Sequence, residues 1–164
     1  MIFPFVVALQ LQAGAVPHLG FTHPTKVVDH DFTQIRGLRE LADGRVLVTD
    51  RIEEKLYLLK PTTGALQTIG RTGSGPAEYR LPTGVFATPG DSSVLMDEGN
   101  SRIAIIGPDL RIVRTFALMI PEVPMSSGPR GRDANGRYLA QIPGWFRHRG
   151  PLRDSVTIVR FDQK

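Results

Sequence analysis

The fold of this chain is decided by the stretch GRTGSGPAEYRLPTGV, residues Gly70–Val85. Its closely spaced glycines and its prolines are typical of a connecting loop, not of the interior of a helix or strand. It is not a phosphate-binding loop, because it lacks Gly-Lys-Ser/Thr and a short strand, not a helix, is expected after it. The stretch lies between two segments that repeat each other, so it is interpreted as the junction between them.

The repeat becomes visible when the sequence is shifted against itself by 47 positions. Gly37 then falls on Gly84, which falls on Gly131, and Asp50 falls on Asp97. A fixed period of this length indicates a chain made of similar supersecondary units. Three units are predicted, starting near the three glycines.

Each unit begins with a predicted β-hairpin. The turn pairs Asp43-Gly44, Gly90-Asp91 and Asn135-Gly136 supply the positive φ angles that a two-residue hairpin turn needs. The third unit is predicted without a fourth strand. The predicted strands are 38–41, 45–49, 55–59 and 65–69; then 85–88, 93–96, 102–106 and 112–118; then 130–134, 137–142 and 155–161.

Four antiparallel strands recurring about every 47 residues match the dimensions of a β-propeller blade. Runs such as Val46–Val48 and Ile103–Ile106 are apolar at consecutive positions, which is expected of strands covered on both faces. The prediction is an all-β fold, a partial β-propeller of about three four-stranded antiparallel blades with an incomplete third blade. The blades are assigned to residues 32–82, 83–128 and 129–164.

Closed propellers have about four to eight blades, so three units leave the ring incomplete. Two interpretations are open: the sequence is part of a longer propeller, or two copies assemble to close a ring.

Two motifs resemble a known family. Residues Asp97–Ile103, DEGNSRI, resemble the Asp-x-x-Asn-x-Arg-Ile signature of NHL-type repeats, with a weaker copy at Asp50–Leu56. The connector is similar to the glycine-rich join between blades in bacterial six-bladed, NHL-like propeller proteins. The resemblance implies a six-bladed ring in which Lys26–Ile35 closes the last blade. The third unit departs from the pattern, since Gly144 replaces the aspartate.

The N-terminal residues 1–15, MIFPFVVALQLQAGA, form an apolar run that ends in the small-x-small pattern of a signal-peptidase site. Export to the periplasm or the extracellular space is therefore expected. The run is shorter than the roughly 20 residues of a transmembrane helix, so no membrane span is predicted. Residues 16–31 are interpreted as a leader or as the closing strand.

The sequence predicts no metal site, cofactor or catalytic residue. It contains no cysteine, which excludes disulfides and thiolate ligands, and His18, His23 and His30 do not have the spacing of one helical face. Aspartates that end a strand accept hydrogen bonds from the following turn. A structural role is accordingly favoured over catalysis for Asp50 and Asp97.

The predicted function is a non-enzymatic binding scaffold that presents blade loops to a protein, peptide or glycan. Large aromatic and arginine side chains dominate the energetics of such contacts. Burial against a neighbouring blade is the alternative for Trp145 and Phe146. The predicted ligand-binding residues are Asp97, Glu98, Asn100, Trp145, Phe146, Arg147, His148 and Arg149.

Two other functions stay open. Some propellers are lyases or hydrolases that work at the central channel, and Asp50, Asp97, Glu98 and His148 are the side chains available for such a site. Nucleic-acid binding would use the basic last third of the chain, which has ten Lys/Arg and five acidic residues from Gly107 onward. Tyr138 and the Trp145–Phe146 pair would be its stacking platforms. The export signal and the scattered arginines argue against it.

Overall fold

The computed structural model describes residues 23–24, 26–117, 130–133, 135–142 and 157–161. The predicted signal peptide and the loop 143–150 lie outside these ranges. Within them the chain is all-β, and no helix is long and apolar enough to cross a membrane. The strands are β1 (Ile35–Glu40), β2 (Val46–Asp50), β3 (Lys55–Lys60), β4 (Ala65–Ile69), β5 (Pro82–Ala87), β6 (Ser93–Asp97), β7 (Arg102–Ile106), β8 (Ile112–Ala117), β9 (Gly131–Arg132), β10 (Tyr138–Ile142) and β11 (Thr157–Phe161).

These strands form three antiparallel sheets in chain order. Sheet one is β1-β2-β3-β4, sheet two is β5-β6-β7-β8, and sheet three is β9-β10-β11. Every strand predicted from the sequence has a counterpart here. β1 begins three residues earlier than predicted, because Ile35 pairs with Asp50 across a bulge, and β5 likewise begins early with Pro82 opposite Asp97.

The 47-residue repeat is also present in the backbone geometry. Gly44 and Asp91, one period apart, have φ angles of 80° and 56°, and Glu54 and Ser101 have φ angles of 53° and 54°. Positive φ is uncommon for residues other than glycine. Its recurrence at equivalent positions shows that the turns repeat even where the residue types differ.

Sheets one and two share the main hydrophobic core. In a strand, successive side chains point to opposite faces, so each sheet has two faces that alternate in sequence. We call the face of each sheet directed at the next sheet its front face and the opposite one its back face. The core between them contains Leu47, Leu56 and Leu58 from the front of sheet one and Val85, Leu95, Ala104 and Ile106 from the back of sheet two.

Strand β6 lies at the centre of this arrangement, and all five of its residues are buried. Leu95 packs in the core with sheet one. Val94 and Met96, on the other face, pack with Tyr138 of sheet three. A strand covered on both faces by neighbouring sheets is the packing pattern of propeller blades. This explains why the strand is apolar at consecutive positions and does not alternate between apolar and polar residues.

Residues 26–34 form no strand among the described residues and instead lie along the back face of sheet one. The rings of His30 and Phe32 contact each other at a centroid distance of 4.5 Å, and each lies 5.8 Å from the ring of Tyr57. The predicted role of Lys26–Ile35 as a closing strand stays a prediction.

The glycine that starts each unit provides a test of sheet packing. A Cβ built on Gly37 would lie 2.8 Å from the backbone nitrogen of Val85, whereas a Cβ on Gly131 would meet no atom of the described residues within 4 Å. We therefore expect Gly37→Ala to lower the free energy of unfolding by about 1–3 kcal/mol through overpacking. Gly131→Ala is the matched control and should leave stability unchanged or slightly raised. Chemical denaturation measures both, and equal effects would contradict the close approach of β1 and β5.

Candidate functional site

Asp97 ends β6 and is fully buried. Its Oδ1 accepts hydrogen bonds from the backbone N–H of Arg80 at 2.7 Å and from Asn100 Nδ2 at 3.0 Å. Its Oδ2 accepts from Asn100 Nδ2 at 2.9 Å and from Arg102 Nε at 2.6 Å. A buried carboxylate is tolerated when it is paired and hydrogen-bonded in this way. Both oxygens of Asp97 are thus engaged inside the protein.

The two partners of Asp97 reach onward to the connector. Arg102 Nη2 donates to the carbonyl oxygens of Gly75 and Glu78, both at 2.8 Å. Asn100 Nδ2 donates to the carbonyl of Gly73 at 2.9 Å. Loop carbonyls that would otherwise need water as a partner are satisfied here by side chains. We call Asp97, Asn100 and Arg102 the connector clamp, because together they fix the backbone of residues 73–80.

The connector also stabilises itself. The Glu78 carboxylate accepts a hydrogen bond from the backbone N–H of Gly75 at 2.7 Å and pairs with Arg71 Nε at 2.7 Å. The Gly75 N–H donor is the main reason that the pKa of Glu78 lies below its ordinary value. A Cβ on Gly73, at φ 157°, would lie 2.1 Å from Glu78 Oε2, so a side chain at this position would require the Glu78 carboxylate to move.

Tyr79 anchors the connector in sheet one. Its side chain is buried, and its hydroxyl accepts a hydrogen bond from the backbone N–H of Leu56 at 3.0 Å and donates one to the carbonyl of Ile69 at 2.7 Å. Burial raises the pKa of this phenol. Because the clamp residues belong to sheet two and Tyr79 reaches into sheet one, the connector joins the two sheets through side chains as well as through the backbone.

Asp50 is the counterpart of Asp97 one period earlier and is also fully buried. Its Oδ2 accepts from the backbone N–H groups of Thr33 at 2.6 Å and Gln34 at 3.0 Å, and its Oδ1 from those of Ile52 and Glu53, both at 3.1 Å. Burial by itself would raise the pKa, but the four N–H donors outweigh it and hold the pKa of Asp50 below its ordinary value of 3.8.

This lowered pKa predicts an acid-sensitive contribution to stability. A carboxyl whose folded pKa lies below its unfolded pKa stabilises the fold above the unfolded value, and the contribution is lost as pH falls through the folded pKa. The free energy of unfolding should therefore decrease as the pH is lowered below 3.8. Asp50→Asn should be less stable at neutral pH and show a shallower decrease, as measured by denaturation at a series of pH values. Parallel pH curves for the two proteins would contradict this role.

Unit one differs from unit two at the position of Asn100, which is occupied by Glu53. The Glu53 carboxylate accepts hydrogen bonds from the hydroxyl of Tyr57, from Thr33 Oγ1 at 3.2 Å and from Lys55 Nζ at 3.4 Å. The Tyr57 donor is the main cause of the lowered pKa of Glu53. The same backbone turn is thus held by a different set of side chains.

Glu98 is the part of the predicted site that faces solvent next to the clamp. Its carboxylate lies 3.7 Å from Arg51 Nε, and the two side chains are 26% and 31% exposed. The pair joins the turn after β2 to the turn after β6.

Of the predicted ligand-binding residues, the structure brings Asp97, Glu98 and Asn100 together, with Asp97 enclosed and Glu98 at the surface. Trp145, Phe146, Arg147, His148 and Arg149 lie outside the described residues, and ligand binding by any of these eight stays a prediction.

A second contact between the sheets was not predicted. Arg39 is 7% exposed, pairs with Asp91 at 2.9 Å and donates to the hydroxyl of Ser93. The 47-residue period places Phe86, not an arginine, at the equivalent position, so the repeat carries no signal for this contact. In the ranges that the structure covers, no group of three or more His, Asp or Glu side chains could hold a metal ion.

The fold and this site define a class, an all-β protein of propeller-like sheets joined by a clamped connector. No protein-family model and no curated protein matches the chain. Two solved structures of virginiamycin B lyase from Staphylococcus aureus are similar to it. One is a catalytically inactive histidine-to-alanine variant with quinupristin, at a TM-score of 0.51 and 13% identity over 79% of this chain and 41% of the lyase.

The other is the selenomethionine-substituted lyase, at a TM-score of 0.51 and 14% identity over 81% of this chain and 42% of the lyase. The chain thus spans less than half the length of the structures it matches. At this level of identity the likeness shows the propeller-type fold and nothing about activity.

Proposed function

We propose that the protein is a non-enzymatic binding scaffold of the six-bladed, NHL-like propeller type. The observation that carries this proposal is the connector clamp, in which buried Asp97 and its partners hydrogen-bond the backbone of the connector between Gly73 and Arg80. A surface fixed before binding loses little conformational entropy when a partner docks. The partner class is a protein, peptide or glycan, and the cell compartment that fits the N-terminal sequence is the periplasm or the exterior.

The binding surface in this proposal is centred on Glu98, and the sequence adds residues 145–149 as further contact residues. Glu98 lies at the clamped end of the sheets and is paired with Arg51 across the two units. Tryptophan and arginine, the residue types of Trp145 and Arg147, dominate the energetics of protein interfaces. Asp97 and Asn100 stabilise this surface indirectly, because they belong to the connector clamp.

The test is a binding screen of the full chain against immobilised peptide and glycan libraries, followed by titration of each hit. Glu98→Ala and Trp145→Ala should each weaken a genuine interaction at least about tenfold, as expected of contact residues. Glu40→Ala is the matched control. Glu40 is an exposed glutamate at the last position of β1, at the end of sheet one that lies opposite to the clamped end. A screen without hits, or hits weakened equally by Glu40→Ala, would contradict the proposal.

The alternative is a lyase, and the similarity to virginiamycin B lyase is what favours it. The experiment is incubation of the full chain with quinupristin, with loss of the intact compound followed by mass spectrometry. Turnover that is abolished by His148→Ala would replace the scaffold proposal with an enzyme. Retention of intact quinupristin would leave the scaffold as the better supported function.

A further inference from the structure

Arg80, the last residue of the connector that the clamp fixes, extends an exposed side chain from a fixed backbone. Its N–H donates to Asp97 Oδ1 at 2.7 Å, and its carbonyl accepts a hydrogen bond from the N–H of Gly99 at 2.9 Å. Hydrogen bonds on both sides of its Cα therefore set the point from which the guanidinium group extends.

Gly99 makes room for the stem of the Arg80 side chain. A Cβ built on Gly99 would lie 2.8 Å from Arg80 Cγ and 2.9 Å from Arg80 Cβ, closer than such atoms approach. Gly99 has no positive φ, so its backbone does not require glycine and the reason for glycine is the space that Arg80 occupies. A side chain whose stem packs on a backbone has fewer rotamers to lose when its charged end is bound.

The repeat shows that the fold does not require this arginine and its glycine. One period earlier, Thr33 is the counterpart of Arg80 and Ile52 is the counterpart of Gly99. The N–H of Thr33 still donates to Asp50 Oδ2 at 2.6 Å, so the backbone contact is kept without the arginine. A cation and a supporting glycine that occur in only one of these two equivalent turns indicate a role other than folding.

The charges around Arg80 suit one carboxylate. Within the described ranges Arg80 has no carboxylate partner, whereas three arginines in or beside the same turns are paired, as Arg51–Glu98, Arg71–Glu78 and Arg102–Asp97. Glu98 precedes Gly99 in the chain, and its 3.7 Å separation from Arg51 is that of a loose, partly exposed pair. The two arginines Arg51 and Arg80 and the one glutamate Glu98 carry a net charge of +1, which a single carboxylate neutralises.

We propose that Arg80 binds a carboxylate group of the partner and that the partner is an acidic peptide, an inference that rests on the proposed scaffold function. The planar guanidinium group matches a carboxylate through two parallel hydrogen bonds. Backbone N–H groups of a peptide, next to that carboxylate, are donors for Glu98. A nucleic-acid strand fits less well, because it would place further phosphate charges beside the Glu98 carboxylate.

The experiment is a fluorescence anisotropy titration of the full chain with a fluorescein-labelled peptide of alternating glycine and aspartate. The glycine–asparagine peptide of the same length is the uncharged probe. The wild type should bind the aspartate peptide at least about tenfold more tightly. Arg80→Gln should abolish this difference, and Arg80→Lys should keep only part of it, because lysine has the charge without the planar fork.

Arg111→Gln is the matched control, since the Arg111 side chain is 84% exposed and lies at the opposite end of sheet two. It removes the same charge from the chain and should bind both peptides as the wild type does. Arg80→Gln keeps the Cβ and Cγ atoms that pack on Gly99, so its circular dichroism spectrum should remain that of the folded wild type.

Equal binding of the two peptides by the wild type, or equal losses with Arg80→Gln and Arg111→Gln, would overturn this proposal. Tighter binding of an oligothymidylate of equal charge would overturn it as well and would indicate a nucleic-acid surface. The library screen separates this inference from the scaffold function. Hits that lack acidic residues would contradict the role of Arg80 and leave the scaffold in place, whereas a screen without hits would contradict both.

Discussion

Asp97→Ala is expected to lower the free energy of unfolding by about 3–5 kcal/mol, because removing one partner of a buried ion pair leaves an uncompensated charge. Arg102, whose side chain is 16% exposed, would lose its 2.6 Å contact. The Arg80 N–H and Asn100 would lose an acceptor as well. Equilibrium urea denaturation measures the change.

Two variants sharpen this experiment. Asp97→Asn keeps an acceptor for part of the network and should cost less than Asp97→Ala. Asp109→Ala removes an aspartate whose side chain is 59% exposed and lies 3.9 Å from Arg111 Nε, so it should change stability by no more than about 0.5 kcal/mol. If Asp97→Ala were as mild as Asp109→Ala, the connector clamp would have no structural role.

Leu95→Ala is expected to cost about 2–5 kcal/mol, the range for deleting a large buried side chain whose surroundings cannot collapse into the cavity. Leu95 is fully buried in the core that sheets one and two share. Both sheets are held in register by their own hydrogen bonds, which limits relaxation around the cavity. Thermal and chemical denaturation give the change in stability.

The matched control for Leu95 is Val113→Ala. Val113 also lies in a strand of sheet two, but it is 63% exposed, and its truncation should change stability by about 0.5 kcal/mol or less. Comparable losses for the two variants would contradict the packing of sheet two against sheet one.

Much of the fold could be predicted because each unit specifies its own turns. The predicted positive φ angles are found at Gly44, Gly90, Asp91 and Gly136, and the observed strands flank these turns. Asp43 has no positive φ, because the first turn has three residues between Leu41 and Arg45, whose backbones are hydrogen-bonded, and not the two that were predicted. The structural role of Asp50 and Asp97 was also predicted from position, since an aspartate at a strand end meets the free N–H groups of the next turn. Asp50 makes those contacts with the N–H groups of Ile52 and Glu53. Asp97 differs, because its donors are the N–H of Arg80 in the preceding connector and the side chains of Asn100 and Arg102.

Other features depend on side chains that meet only after the sheets have packed. The contact of Arg39 with Asp91 joins residues 52 positions apart, and Tyr79 bonds Leu56 and Ile69 in a different sheet. One period later the sequence has Phe86 in place of Arg39 and Ser126 in place of Tyr79, so the repeat does not mark either contact. The pairing of Glu98 with Arg51, in the exposed part of the candidate site, also could not be predicted from the sequence. It depends on how the two units are placed side by side.

The most direct test of the central claim is a methyl nuclear Overhauser experiment on the full chain. The claim is that successive sheets stack face to face, with β6 enclosed between its neighbours. Cross-peaks are expected from Leu95 to Leu47 and Leu58 of sheet one, and from Met96 to the ring of Tyr138 of sheet three. Cross-peaks from Leu95 and Met96 that stay within sheet two would contradict the stacked arrangement.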